Sequence, residues 1–249
     1  LLSIATDGET FGHHKQGAEN ALTEFMRLVS AQEDFQIVNF AKYIQLHPPE
    51  YEVRIKPGDD GEGTSWSCVH GVRRWKDDCG CGMRDGWHLQ WRKPLRDSLN
   101  WLRDELIRIY EREGGKLLKD VWKARNDYIK VINNPQSAMN FFQENAVRIL
   151  SQDEVNRCIK LLEMQRFAML MFTSCGWFFS EISGIETVKI LEYAARAMEI
   201  SEGITGVSLK EEFLNRLAEA KSNIPEYRNG RGVWENLVEP AARATETRC

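Results

Sequence analysis

From Trp91 onward the apolar residues recur at intervals of three and four, and this rhythm limits what the chain can build. Leu95, Leu99, Leu102, Leu106 and Ile109 fall on one stripe of a helix, which Gly114-Gly115 ends. The spacing predicts further helices over residues 117–132, closed by Asn133-Asn134-Pro135, and over residues 137–150. Ser151-Gln152-Asp153-Glu154 reads as a capping box that opens a long helix to about Met171. Residues 183–201 follow, with Ile185, Val188, Leu191, Ala195 and Met198 on one face. Ser208-Leu209-Lys210-Glu211 reads as a second capping box, for a helix to about Ala220. Residues 233–242 read as a last short helix interrupted by Pro240. Helices with no strands beside them bury their stripes against one another, so residues 91–249 are expected to form a helical bundle.

The first ninety residues read differently. Leu1–Ala5 is a short apolar run that reads as a strand delivering residues to a polar loop. Residues 16–32 carry Ala18, Ala21, Leu22, Phe25, Met26 and Val29 at helix spacing. Residues 35–39 read as a strand, and Asn39 as the cap of a helix through Ile44 and Leu46, stopped by Pro48-Pro49. Residues 51–55 alternate apolar and charged side chains, as a second strand would, before an acidic glycine-rich loop over 57–63. The expected fold is therefore mainly α with a small α/β portion: residues 1–90 as the edge of an α/β domain, residues 91–249 as the bundle.

Composition excludes several classes. With 42% hydrophobic and 28% charged residues, the 249-residue chain can bury a core and is not a disordered tract. A net charge of −4 without a basic stripe leaves nucleic acid outside the expected partners. No apolar run reaches the ~18 residues that a membrane span needs. The longest, residues 167–179, is broken by Thr173, Ser174 and Gly176. The chain opens without Met and without a charged segment ahead of an apolar one, so it reads as entered part-way through a strand rather than as a signal peptide. Six cysteines are too few for a disulfide scaffold, and a reducing cytoplasm is expected. Cys158 and Cys175 fall within helical patterns and read as buried thiols.

The densest polar stretch is Thr6-Asp7-Gly8-Glu9-Thr10-Phe11-Gly12-His13-His14. It follows directly after the first expected strand, where α/β folds place their sites. On an extended chain Asp7 and Glu9 point to the same side. Paired carboxylates suit acid/base work or a metal, and the neighbouring histidines suit zinc. The alternative is a loop in which Asp7 bonds a helix N-terminus. Eight tryptophans, five of them between positions 66 and 101 (Trp66, Trp75, Trp87, Trp91, Trp101), read first as packing and second as platforms for sugar rings.

The run Asp7-Gly8-Glu9-Thr10-Phe11-Gly12-His13-His14 resembles the fourth conserved region of glycoside hydrolase family 57, of pattern Asp-x-Glu-x-Phe-Gly. The stretch Met171-Phe172-Thr173-Ser174-Cys175-Gly176-Trp177-Phe178-Phe179 resembles the family's fifth region, with Gly176 where many relatives have Asp. Thr64-Ser65-Trp66 resembles the Ser-Trp turn after the acid/base strand. The resemblance implies retaining α-glucan hydrolases or transglycosylases, amylase-like, built on an incomplete (β/α)7 barrel followed by helices. It implies Asp7 as general acid/base, with Glu9, Phe11, His13, Trp66 and Trp177 at the substrate; His70, on the loop between Trp66 and the other tryptophans, is expected to line the same groove. Trp177 is expected on a bundle helix, facing the groove. Neither a cofactor nor a catalytic metal is implied. A retaining mechanism needs two carboxyls about 5–5.5 Å apart. The family's nucleophile Glu lies on an earlier strand, so the remainder of the barrel is an expected partner and this chain alone is expected to be inactive. Glu181 and Glu186 are expected to cap helices or face solvent rather than to replace that Glu.

Cys68-Val69-His70 and Cys79-Gly80-Cys81 form the other tight constellation. Four such ligands could close a zinc site. One-residue gaps match the usual Cys-x2–4-Cys spacing poorly, so packed reduced thiols are expected ahead of zinc or a disulfide. Two further readings stay open: a metal-dependent carbohydrate hydrolase of mannosidase or deacetylase type, and a non-catalytic carbohydrate-binding or interaction module.

Overall fold

The computed structural model describes residues 2–82 and 84–241. The chain divides into two compact units, Leu1–Arg54 and Ile55–Cys249.

The first unit holds two helices, α1 (Ala18–Ser30) and α2 (Phe40–Leu46). Asn39 caps α2 as its position implies: its side chain accepts from the Lys42 N–H at 2.8 Å. The expected strands do not form. The described residues of 1–5, 35–39 and 51–55 adopt no regular structure, and there is no sheet among the described residues. A strand persists only where a neighbour satisfies its backbone groups, and Ile4, Phe35 and Val53 are exposed instead of covered by one. No described residue of this unit is buried, and Leu22, Phe25 and Met26 leave the apolar stripe of α1 in solvent.

The second unit is built on α3 (Arg92–Gly114), α4 (Val121–Asp127), α5 (Ile129–Asn133), α6 (Ala138–Asn145), α7 (Gln152–Leu170), α8 (Ile185–Thr205), α9 (Lys210–Leu217) and α10 (Gly230–Val233). Helix α3 packs on α7, α8 and α9, and α7 lies along α8. The stripe Leu95, Leu99, Leu102, Leu106 and Ile109 is buried as its spacing predicts. Ser151 and Glu154 form the reciprocal capping box of α7. Residues 91–241 are thus mainly helical.

Several boundaries differ, each for a physical reason. Residues 117–132 are not one helix. Leu117 and Leu118 turn into the core while Lys119 N–H bonds Asn145 O and Val147 N–H bonds Leu117 O. Asp120 then caps a fresh helix, and the same pairing stops α6 at Asn145. Ser208 is not a cap: its hydroxyl bonds Glu202 Oε2 at 3.2 Å, and α9 starts two residues later. The buried face of α8 is Ile190, Leu191, Ala194, Ala197 and Met198, whereas Ile185 is exposed. The chain past Val233 widens into a π turn over Trp234–Val238 before continuing as helix. Pro240, which has no N–H to donate, follows two residues after the widened turn. Ala242, given to that helix by the spacing, lies outside the described residues.

The described residues of 55–91 contain only a 3₁₀ turn, Arg73–Trp75, yet the segment groups with the bundle rather than with residues 1–54. Arg74 Nη1 donates to Phe178 O at 3.1 Å, and Arg92 Nη2 donates to Phe178 O and Phe179 O at 3.3 and 3.2 Å. The Trp91 indole donates to Ser180 O, and the Asn223 side chain pairs with both backbone groups of His88. These bonds pin the irregular segment to the turn between α7 and α8 and to the α9–α10 connection.

Candidate functional site

The acidic loop of the first unit is a 3₁₀ turn over Gly8–Thr10, not an extended chain. The turn is closed by Thr10 N–H on Asp7 O at 3.1 Å and Phe11 N–H on Gly8 O at 3.2 Å. A second loop returns, with His14 N–H on Glu9 O and Gly12 N–H on Lys15 O, and delivers the chain to α1. The alternation that would align Asp7 with Glu9 therefore does not apply here. Asp7, Glu9 and His13 are exposed and Phe11 is half-buried. Asp7 stands at the head of the turn with no side-chain bond to the backbone, so the capping alternative for this aspartate is not what the loop adopts. His13 and His14 stack edge to face, with ring centroids 4.9 Å apart.

In the second unit Trp66 and Trp177 have opposite surroundings. Trp66 is 84% exposed. Trp177 is completely buried, in a 3₁₀ turn after α7 has ended at Leu170 rather than on a helix. Phe172 stacks parallel to it at 6.3 Å and the Arg96 guanidinium sits 5.3 Å over its ring. A ring covered in this way packs the core and presents no face to a groove. Gly176 has a steric role. A Cβ there would lie 2.5 Å from Ile190 Cδ1, and its carbonyl accepts from the Thr187 hydroxyl at 2.7 Å. The larger residue that the fifth-region pattern carries has no room.

Glu181 is buried rather than solvent-facing. It accepts from Ser222 Oγ at 2.6 Å and Asn223 N–H at 2.8 Å, holding the 222–224 turn against the α7–α8 connection. Cys158 is buried, and that burial pushes its thiol up to about 12; Cys175 is exposed. A cavity of about 600 Å³, lined in part by Arg73, Asp77, Asp78, Lys93 and Arg216, contains none of Trp66, His70 and Trp177.

The strongest convergence is Cys68, His70, Cys79 and Cys81, whose donor atoms all lie within 4.8 Å of one another. Cys81 Sγ is 3.2 Å from His70 Nδ1; Cys68 Sγ is 3.8 Å from the same nitrogen and 3.9 Å from Cys81 Sγ. The sulfurs are free thiols. Two glycines in the left-handed region make the one-residue spacing workable. Gly80, at φ 76°, turns Cys79 and Cys81 toward one point. Gly71, at φ 66°, follows His70 where a Cβ would meet Gly63 O at 2.7 Å. Burial pushes the Cys68 thiol up, but hydrogen bonds from the His70 backbone and ring and from Cys79 and Cys81 outweigh it and bring it to about 7. Burial and the neighbouring sulfurs raise Cys81. Arg92 Nη1 donates to Cys79 Sγ at 3.3 Å. Sequence reasoning missed Arg74 and Arg92, since nothing in an isolated Arg predicts burial.

A helical bundle carrying an irregular cysteine- and histidine-bearing segment on its α7–α8 turn is the class that these features define. The chain belongs to the family described as a domain of unknown function (DUF3536), which matches residues 87–247. No curated protein and no solved structure matches it. Among the described residues no helix is long and apolar enough to cross a membrane.

Proposed function

We propose that this chain is part of a retaining α-glucan-active glycoside hydrolase or transglycosylase, cytoplasmic, with Asp7 as its general acid/base. The observation that carries the reading is the run Asp7-x-Glu9-x-Phe11-Gly12 on an exposed turn, with the Asp7 carboxylate free of a capping role. Glu9, Phe11 and His13 on the same loop supply polar and apolar contacts for a sugar. On the second unit Trp66 is exposed with an open ring face, His70 is exposed but belongs to the cysteine cluster, and Trp177, being buried, supports the bundle instead.

The chemistry needs a second carboxylate. One carboxyl protonates the leaving oxygen while the other attacks the anomeric carbon, and the proximity of the two is what keeps a proton on the acid at neutral pH. In this reading the nucleophile Glu comes from the remainder of the barrel, which would also cover the apolar stripe of α1. The family-57 resemblance and the barrel itself are part of the proposal.

The test is Asp7→Asn in the protein that carries the whole barrel, assayed on amylose or glycogen and on an activated aryl glucoside. Turnover on the natural glucan should fall at least ~100-fold, and much less on the activated substrate, whose leaving group needs little protonation. Equal losses on both would remove Asp7 as proton donor.

A further inference from the structure

We propose that Cys68, His70, Cys79 and Cys81 form a tetrahedral Zn²⁺ site that staples residues 64–91 into a defined shape. The inference does not depend on the glucan reading. Three observations carry it.

The first is geometric. Zinc bonds thiolate sulfur at about 2.3 Å and imidazole nitrogen at about 2.0–2.1 Å, so the donors of a tetrahedral site stand roughly 3.5–3.8 Å apart. The measured separations here are 3.2, 3.8 and 3.9 Å, with all four donors inside 4.8 Å. A disulfide requires sulfurs about 2.05 Å apart, so the pair at 3.9 Å is not a disulfide. Three sulfurs and one imidazole are the donor set that selects zinc over hard cations, and four protein ligands leave no open position for substrate.

The second observation is the core of the segment itself. The described residues of 55–91 hold no helix beyond one 3₁₀ turn. Apart from the main core, the buried apolar residues here form one small cluster: Cys68, Cys79 and Leu89, with Cys81 packed against it. Away from its bundle contacts the loop has only two sulfurs and a leucine to shape it, and small irregular scaffolds are usually stapled by disulfides or metals.

The third is charge. Arg92 is fully buried and Arg74 nearly so, and among the described residues neither makes an ion pair with a carboxylate. Both point at carbonyls of the α7–α8 turn, and Arg92 also reaches Cys79 Sγ. A buried cation is costly without a compensating negative charge. On binding, the three thiols lose their protons to solvent, three Zn–S bonds and one Zn–N bond to neutral His70 form, and the site carries a net charge of −1 beside the two guanidiniums. The Arg92 N–H then bonds a metal thiolate, the kind of outer-shell contact that orients zinc ligands.

The protein is purified from zinc-supplemented culture and its metal measured by atomic spectrometry, expecting one Zn²⁺ per chain. Replacement by Co²⁺ is expected to give thiolate-to-cobalt charge-transfer absorption with the intense visible bands of a tetrahedral site. X-ray absorption on the zinc form should show a first shell of three sulfurs and one nitrogen. Cys79→Ser and His70→Ala should lose the stoichiometric metal, whereas Cys175→Ser, at an exposed thiol outside the cluster, should keep it. A wild-type protein that takes up no Zn²⁺ when it is supplied, or a first shell without sulfur, overturns the proposal. So does an equal loss in Cys175→Ser. Should the ligand variants fail to fold, the cobalt spectrum and zinc shell of the wild type decide alone.

Discussion

Glu113 offers the sharpest test of the bundle's electrostatics. It lies in the last turn of α3, where the helix dipole disfavours a negative charge. Three cations reverse that preference. Lys116 Nζ is 2.7 Å from one carboxylate oxygen, Arg157 Nη2 is 2.9 Å from the same oxygen, and Arg112 Nε is 2.9 Å from the other. The hydrogen bonds from Lys116, Arg112 and Arg157, in that order, lower the Glu113 carboxyl from 4.5 to about 2. Arg157 also donates to Ile204 O, so the carboxylate links the ends of α3, α7 and α8. Taken at face value such a depression corresponds to roughly 3 kcal/mol. The cations are largely exposed and screened by solvent, which reduces the contribution to about 1–2 kcal/mol. Glu113→Gln removes it. Because the folded pKa is depressed, this stability is fully present above about pH 4.5 and disappears as the pH falls toward 2. Urea unfolding of wild type and variant across pH 2–7 should show a gap that is constant above about pH 5 and closes below it. A gap that does not vary with pH, or none at pH 7, would refute the argument.

Gly176→Ala should cost about 1–3 kcal/mol of unfolding free energy by overpacking against Ile190, and Ile190→Val, which removes the clashing Cδ1, should recover part of it in the double variant; a neutral single variant would show that the turn can open. Ser151→Ala should cost about 1 kcal/mol and Ser208→Ala less than about 0.5 kcal/mol, since only Ser151 bonds a helix N-terminus; equal thermal shifts would contradict the assigned caps.

The bundle was legible because its information is local. A stripe such as Leu95 to Ile109 needs only the 3.6-residue period, and the cap at Ser151, like that at Asn39 in the first unit, needs only its own next three residues. Where a choice depended on a distant partner, the sequence was silent. Ser208 carries the same signature as Ser151, yet Glu202 offers its hydroxyl a different bond. The 117–132 period is helical throughout, but the pairing with residues 145–147 delays the helix to Val121, and a second break falls at Tyr128 between α4 and α5. Strand-like runs without neighbours remained irregular. Trp177 looked like a groove residue from its motif, and its burial is decided by Phe172 and Arg96 together. The cysteine cluster is visible as four residue types, but that their donors meet at one point depends on how the chain doubles back at Gly71 and Gly80, which the spacing alone does not reveal.

The bonds that pin residues 67–92 have a consequence in time. His88 waits for Asn223, 135 residues downstream, and Arg74 waits for Phe178, 104 residues downstream. At the ~5–20 residues per second of synthesis, Phe178 is made about 5–21 seconds after Arg74 and Asn223 about 7–27 seconds after His88. Until Phe178 is made, neither bond can form. The two arginines stay hydrated until α7 and α8 are made, so their desolvation is deferred to the moment when the carbonyls of Phe178 and Phe179 arrive to receive them. The N-terminal border of the bundle is thus translated early and completed late.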